Sequence, residues 1–301
     1  MAPGIVQCNR RDKLSMLMMF VATLFAMFAL CQATQAQQAD SKQKTATGEA
    51  PTEKGKVAAG SGDLEKAVQN PVANLISVPL QNNSNFAIGT FNRSQDVLNI
   101  QPVIPVNITK NWMVISRIIQ PIVWQPYANQ KTGGQYGFGD MVPTFFLSPR
   151  KPGKVIWGVG PALTIPTATN TILGQGKLSV GPSMVALAQP GPWTIGVLTN
   201  NVWSVAGSGS RPAVNQMLLQ YFITRQLKKG WYINSAPILT ANWKASSGNK
   251  WVVPFGGGFG RVTKLGFQPV NLGVQFYGNP VRPAGGSSWT MRLQITFLYP
   301  R

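Results

Sequence analysis

Few side chains in this sequence could carry out a reaction. There is no histidine, the two cysteines are Cys8 and Cys31, and after residue 66 the only carboxylates are Asp96 and Asp140. General acid–base catalysis draws on histidine or paired carboxylates, and metal sites on histidine, cysteine or clustered carboxylates. No such set can be assembled, so neither an enzyme nor a metal or other cofactor is expected. The glycines Gly256, Gly257, Gly258 and Gly260 imitate a phosphate loop only superficially. No Lys-Ser/Thr pair or helix follows them, and within a strand glycine serves bends and close approach.

The formal charge is +19, which in isolation suggests nucleic acid. The basic residues, however, fall mainly in connections between apolar runs, among them Lys110, Arg150, Lys151, Lys154, Lys228, Lys229, Lys244 and Lys250. Solvated turns and contacts with phosphate-bearing lipid headgroups fit that placement, and no nucleic-acid partner is expected. Arg10, Arg11 and Lys13 precede an uncharged run from Leu14 to Leu30 and then small residues near Ala36. This is the layout of a secretory signal peptide over 1–36, which would carry both cysteines away.

The elements that would position anything functional are strands. From Trp289 to Tyr299 the odd positions are Trp289, Met291, Leu293, Ile295, Phe297 and Tyr299, while Thr290, Arg292, Gln294 and Thr296 alternate with them. A strand crossing a bilayer needs about 9–11 residues with one face to lipid and one to a polar interior. Twelve runs of strand length are expected, beginning with a short one over Asn85–Phe91 and continuing through Val97–Ile108, Trp112–Trp124 and Gly137–Leu147 to Trp289–Tyr299. Their connections alternate between tight turns, such as Thr109–Asn111 and Gln189–Pro192, and longer loops rich in Gly, Ser and Asn, such as Thr167–Gly176. Short turns on the periplasmic side and long loops outside are the pattern of outer-membrane barrels. Trp112, Trp193 and Trp231 follow tight turns, whereas Trp124, Trp203, Trp243, Trp251 and Trp289 lie at the loop ends. Two tiers of interfacial aromatics suit a bilayer.

The expected fold is therefore all-β: a transmembrane antiparallel β-barrel of about twelve strands over 85–301, with a short N-terminal helical segment. That segment is placed at 63–84, with caps at Asp63 and at Asn70-Pro71 and a stop at Pro79, either resting on the periplasmic rim or plugging the barrel. Residues 37–62 read as a flexible linker, being poor in anything to bury. A secreted β-sandwich would also alternate along its strands, but it gives no reason for segregated loop lengths or two tiers of tryptophan.

Parity sends Arg117, Asp140, Gln216, Gln220, Asn234, Arg292 and Gln294 into the lumen. Ionisable groups at membrane depth are costly unless they face water or a partner, so the two arginines and Asp140 are candidates for function as well as for a network tying the wall together. An excess of arginine over acid would favour anions in an open pore.

The run Asn70-Pro71-Val72-Ala73-Asn74-Leu75-Ile76-Ser77-Val78-Pro79-Leu80-Gln81-Asn82-Asn83, the segments Leu98–Pro105, Gly137–Asp140 and Trp251–Gly260, and the ending Pro300-Arg301 resemble a bacterial outer-membrane family. It is the "transporter" family of the MetA pathway of phenol degradation, often mislabelled neuromedin U. The resemblance implies an outer-membrane barrel passing small, aromatic or hydrophobic compounds, with no catalytic residues. Expected partners are outer-membrane lipid, the barrel-assembly machinery and a small-molecule solute; oligomeric state is not legible. A closed barrel with a structural or adhesive role is the alternative.

Overall fold

The computed structural model describes residues 61–300. The signal peptide expected over 1–36 and all but the end of the linker expected over 37–62 lie outside the described residues. A helix α1, Ser61–Val68, precedes fifteen strand segments. These are β1 Ile76–Ile88, β2 Arg93–Ile100, β3 Val103–Asn107, β4 Trp112–Pro126, β5 Gly134–Phe138, β6 Val142–Pro149, β7 Val155–Thr164 and β8 Lys177–Ala188. They continue with β9 Trp193–Gly207, β10 Asn215–Gln226, β11 Trp231–Ser235, β12 Ile238–Asn242, β13 Trp251–Leu265, β14 Gln268–Val281 and β15 Trp289–Tyr299.

Three pairs of segments are single barrel strands with a break: β2 with β3 at Gln101-Pro102, β5 with β6 at Gly139–Met141, and β11 with β12 at Ala236-Pro237. Proline explains two of the breaks, since it donates nothing to a ladder. Twelve antiparallel strands result, each bonded to its sequence neighbours, and the ring closes where β1 pairs with β15 from Ile76 opposite Tyr299 to Phe86 opposite Trp289. Closure removes the edges that lipid could not satisfy. No helix among the described residues is long and apolar enough to span a membrane.

The outer wall is an apolar band of exposed side chains such as Val155, Val159, Ile195, Ile223, Ile233, Phe259, Phe276, Leu293 and Ile295. At the short-turn end Trp112 meets Trp157 edge to face at 6.0 Å, and at the long-loop end Trp243 meets Trp251 at 5.4 Å while Phe86 stacks on Trp289 at 4.0 Å. These are the two interfacial tiers. The tight β13–β14 turn has Gly266 at φ 58°, the left-handed value that the first position of a two-residue hairpin turn demands.

Two expectations need correction. The helical segment expected over 63–84 ends at Val68, and Ile76–Ile88 is the first strand, where only Asn85–Phe91 had been expected. Asn70 does cap, its Oδ1 accepting the Val72 N–H at 2.9 Å, but the result is a local turn with no helix after it. Pro79, expected to stop a helix, lies within β1 and its carbonyl accepts the Gln101 N–H at 2.9 Å. The determining signal was the alternation of Ile76, Val78 and Leu80 with Ser77, Pro79 and Gln81, which sets an inner and an outer face against β15.

The second correction concerns parity in the fourth barrel strand. Phe138 stands opposite Ile122 and Val142 opposite Ile119, so four steps on one side face three on the other. This bulge moves the outward face from Tyr136 and Phe138 to Phe145 and Leu147. Below it Arg117 pairs directly with Thr144.

Candidate functional site

Two segments of the protein's own chain pack against the barrel wall, one near each end. At the short-turn end α1 lies against the rim, and the residues from Gln69 to Leu75 that follow it enter the barrel as a plug. Val72, only 1% exposed, joins Met113, Ile115, Phe146, Val185, Leu187, Leu198 and Phe222 in a buried apolar cluster. The wall also holds the plug's backbone and side chains. Gln189 Nε2 donates to the Lys66 carbonyl at 2.9 Å, Gln226 Nε2 to the Glu65 carbonyl at 3.2 Å, and the Thr224 hydroxyl to Gln69 Oε1 at 3.3 Å. The helix thus sits at the short-turn rim, against the connection Lys228–Gly230, and the residues after it lie inside the barrel, so each placement holds for part of the segment.

The lumen is thus not polar throughout. Strands β4, β8 and β9 carry apolar residues on both faces near the short turns, so the alternation that separates lipid from water fails there, and the plug supplies the missing apolar neighbour.

From the long-loop end, the β7–β8 connection folds over the mouth. Asp140, seated in the break of the fourth strand, accepts the Ala168 N–H with Oδ1 at 3.2 Å and the Gln175 N–H with Oδ2 at 2.6 Å. Arg211 grips the same loop from β9–β10, donating to the carbonyls of Gln175 at 3.0 Å, Thr171 at 2.8 Å and Gly174. The Gln175 side chain reaches Gln216 Oε1 at 2.7 Å. Gly174 is obligatory in this arrangement, because a Cβ there would collide with the Asp140 carboxylate and the Ala168 methyl. A cavity of about 460 Å³ lies among Asp140, Pro166, Ala168, Thr169, Ser208 and Arg211.

Between plug and cap the wall presents amides and two arginines. Arg292, 6% exposed, donates to Asn83 Oδ1 at 2.9 Å, to the Ala236 carbonyl at 3.0 Å and to Gln275 Oε1 at 3.2 Å, and its guanidinium stands 5.0 Å from the Tyr277 ring centroid. It ties β1, β14 and β15 to the break at Ala236-Pro237, and Tyr277 caps that break by accepting the Ala236 N–H at 3.2 Å. Arg117 makes one hydrogen bond, from Nη2 to Gln101 Oε1 at 2.9 Å. Among the described residues neither arginine is paired with a carboxylate.

Of the residues expected from sequence, Arg117, Gln220, Asn234 and Gln294 share one cavity of about 180 Å³ with the plug. Arg292 stands in the wall network, and Gln216 and Asp140 belong to the cap. Val72, Arg211, Gln101 and Tyr277 were not anticipated. Val72 and Leu75 are the apolar residues of an otherwise polar stretch, a usable signal. Arg211 acts through loop carbonyls, and no local pattern announces that.

The glycine cluster of β13 serves packing. Gly260 pairs with Gly273, and the Tyr232 ring lies against this bare patch, where a Cβ on Gly260 would meet its hydroxyl and the Leu272 carbonyl.

No family model matches the chain, and no curated protein does. Among solved structures, an outer-membrane channel from Pseudomonas putida F1 superposes with a TM-score of 0.56 at 12% identity, over 75% of this chain and 94% of that one. Outer-membrane phospholipase A from Escherichia coli is a looser match, with a TM-score of 0.40 at 12% identity over 74% of this chain and 96% of that one. The fold common to this chain and the Pseudomonas channel is a closed antiparallel β-barrel.

Proposed function

We propose that the protein is an outer-membrane channel for passive passage of small solutes, held shut at rest by its plug and its cap. The observation that carries this reading is the nature of the two obstructions. Both are chain segments at the ends of a barrel whose middle is lined by amides and arginine, and the plug is attached through a small number of side-chain contacts. Burying Val72 contributes about 2 kcal/mol, and each of the plug's side-chain hydrogen bonds about 1 kcal/mol net. Against this, releasing the segment restores backbone freedom worth roughly 1 kcal/mol or more per residue. A plug so held is displaceable, whereas the wall is not. The lining favours polar and anionic solutes over purely apolar ones, because two unpaired guanidinium groups bias an open path toward anions. No catalytic step is part of this reading.

Reconstitution of the full chain in planar bilayers tests it. Discrete conductance steps, with a reversal potential in a salt gradient that moves toward cations in Arg117→Glu, are expected. A bilayer that stays silent both for the parent and for Val72→Asp, in which the plug is ejected, would favour the closed structural barrel instead.

A further inference from the structure

We infer that the cavity between plug and wall is a binding site for a small monocarboxylate with a short apolar body, and that Arg117 is the residue that reads its carboxylate. This rests on the channel reading and names the class of solute. The two lumen arginines hold different positions. Arg292 has Asn83, Ala236, Gln275 and Tyr277 around its guanidinium and does not border the cavity. Arg117 does border it, with a single acceptor, Gln101, for a group that carries five N–H donors.

A guanidinium kept from bulk water, without a counter-charge and with donors to spare, is a receptor for a planar two-oxygen anion. No carboxylate lines the cavity among the described residues. A second observation is independent of the charge. The side-chain nitrogen of Gln69, on the same cavity, is buried with no hydrogen-bond partner. Buried amides are rarely left so, and an N–H facing a cavity is a donor that a carboxylate oxygen can satisfy.

The remaining lining decides what the anion carries. Leu75, Leu198, Phe222 and Leu298 border the same space, and they would gain from an alkyl or ring body where a phosphate or chloride would leave them facing nothing. At about 180 Å³ the space admits a short chain only.

Calorimetric titration of the full-length barrel in detergent micelles with hexanoate tests the assignment, with hexan-1-ol, acetate and inorganic phosphate as comparators. Expected is one site for hexanoate, weaker by at least about tenfold in Arg117→Gln, the loss of a hydrogen bond to a charged group. Arg117→Lys should fall between, keeping the charge without the fork. Lys264→Gln, which removes the same charge beside the β13–β14 turn, should bind as the parent does. Retention of the heat-modifiable gel shift certifies that each variant is folded. Equal binding of hexan-1-ol, acetate or phosphate overturns the inference, as does an equal loss in Lys264→Gln. Because the readout is binding, hexanoate affinity with no conductance would retire the channel and keep the site. Conductance without affinity would do the reverse.

Discussion

Arg292 Nε donates to Asn83 Oδ1 at 2.9 Å across the seam where the last strand meets the first. The same guanidinium reaches the Ala236 carbonyl and Gln275, so one side chain fastens the barrel's closure to its most irregular strand. Arg292→Met keeps the length and removes three donated hydrogen bonds, leaving these acceptors to Gln81, Gln220 and Tyr277 alone. A loss of about 2 kcal/mol is expected, the scale for hydrogen bonds to a charged group. The temperature at which the fast-migrating unboiled band disappears should drop accordingly; an unchanged midpoint would show that the wall closes without this tie.

Val72 is the plug's apolar anchor. Val72→Asp places a charge among Met113, Ile115, Phe146 and Phe222, where it has no partner, and ejection of the segment is the cheaper outcome. Conductance should rise several-fold in planar bilayers while the gel shift is retained, since Val72 is no part of the wall. Parent-level conductance with an intact barrel would mean that the plug does not limit flow.

At the opposite mouth, Gln175 and Gln216 meet through their amides. Cysteines at these two positions, joined by a short thiol-specific cross-linker, should fix the cap and lower the frequency of openings. Asp140→Asn should raise it, because a neutral amide holds the Ala168 and Gln175 N–H groups less firmly than a carboxylate. Identical gating in both variants would show that the β7–β8 loop stays put during passage.

Two glycine substitutions separate packing from glycine content. Gly260→Ala drives a methyl into Tyr232 and the Leu272 carbonyl and should cost about 2 kcal/mol. Gly278→Ala meets nothing nearer than the Phe255 carbonyl at 4.0 Å and should be neutral or slightly stabilising. Thermal unfolding followed by circular dichroism distinguishes them, and equal effects would contradict the Tyr232 account.

The barrel was legible in the sequence because a wall between lipid and water must alternate, and Trp289–Tyr299 does so with Leu298 as its one exception. Legibility failed where the wall faces protein. Ile76–Ile88 begins beside the plug and carries two polar-rich faces near Asn82 and Asn83, so its period was masked by the capping signals at Asn70 and Pro71. The inward set around Phe146 and Leu198 reads as lipid-facing until the plug is known to cover it. Asp140 was identified as a charged residue at membrane depth, but its hold on a loop about 30 residues further on follows from the bulge at Gly139–Met141. One extra residue leaves no trace in composition.

The plug runs into β1 after a short turn, and β1 is the strand that pairs with the C-terminal one. The first strand therefore waits for the last, and no closed ring exists until the whole chain has been delivered. The stopper is covalently continuous with that waiting strand, so a pull that draws it out of the lumen bears directly on the seam.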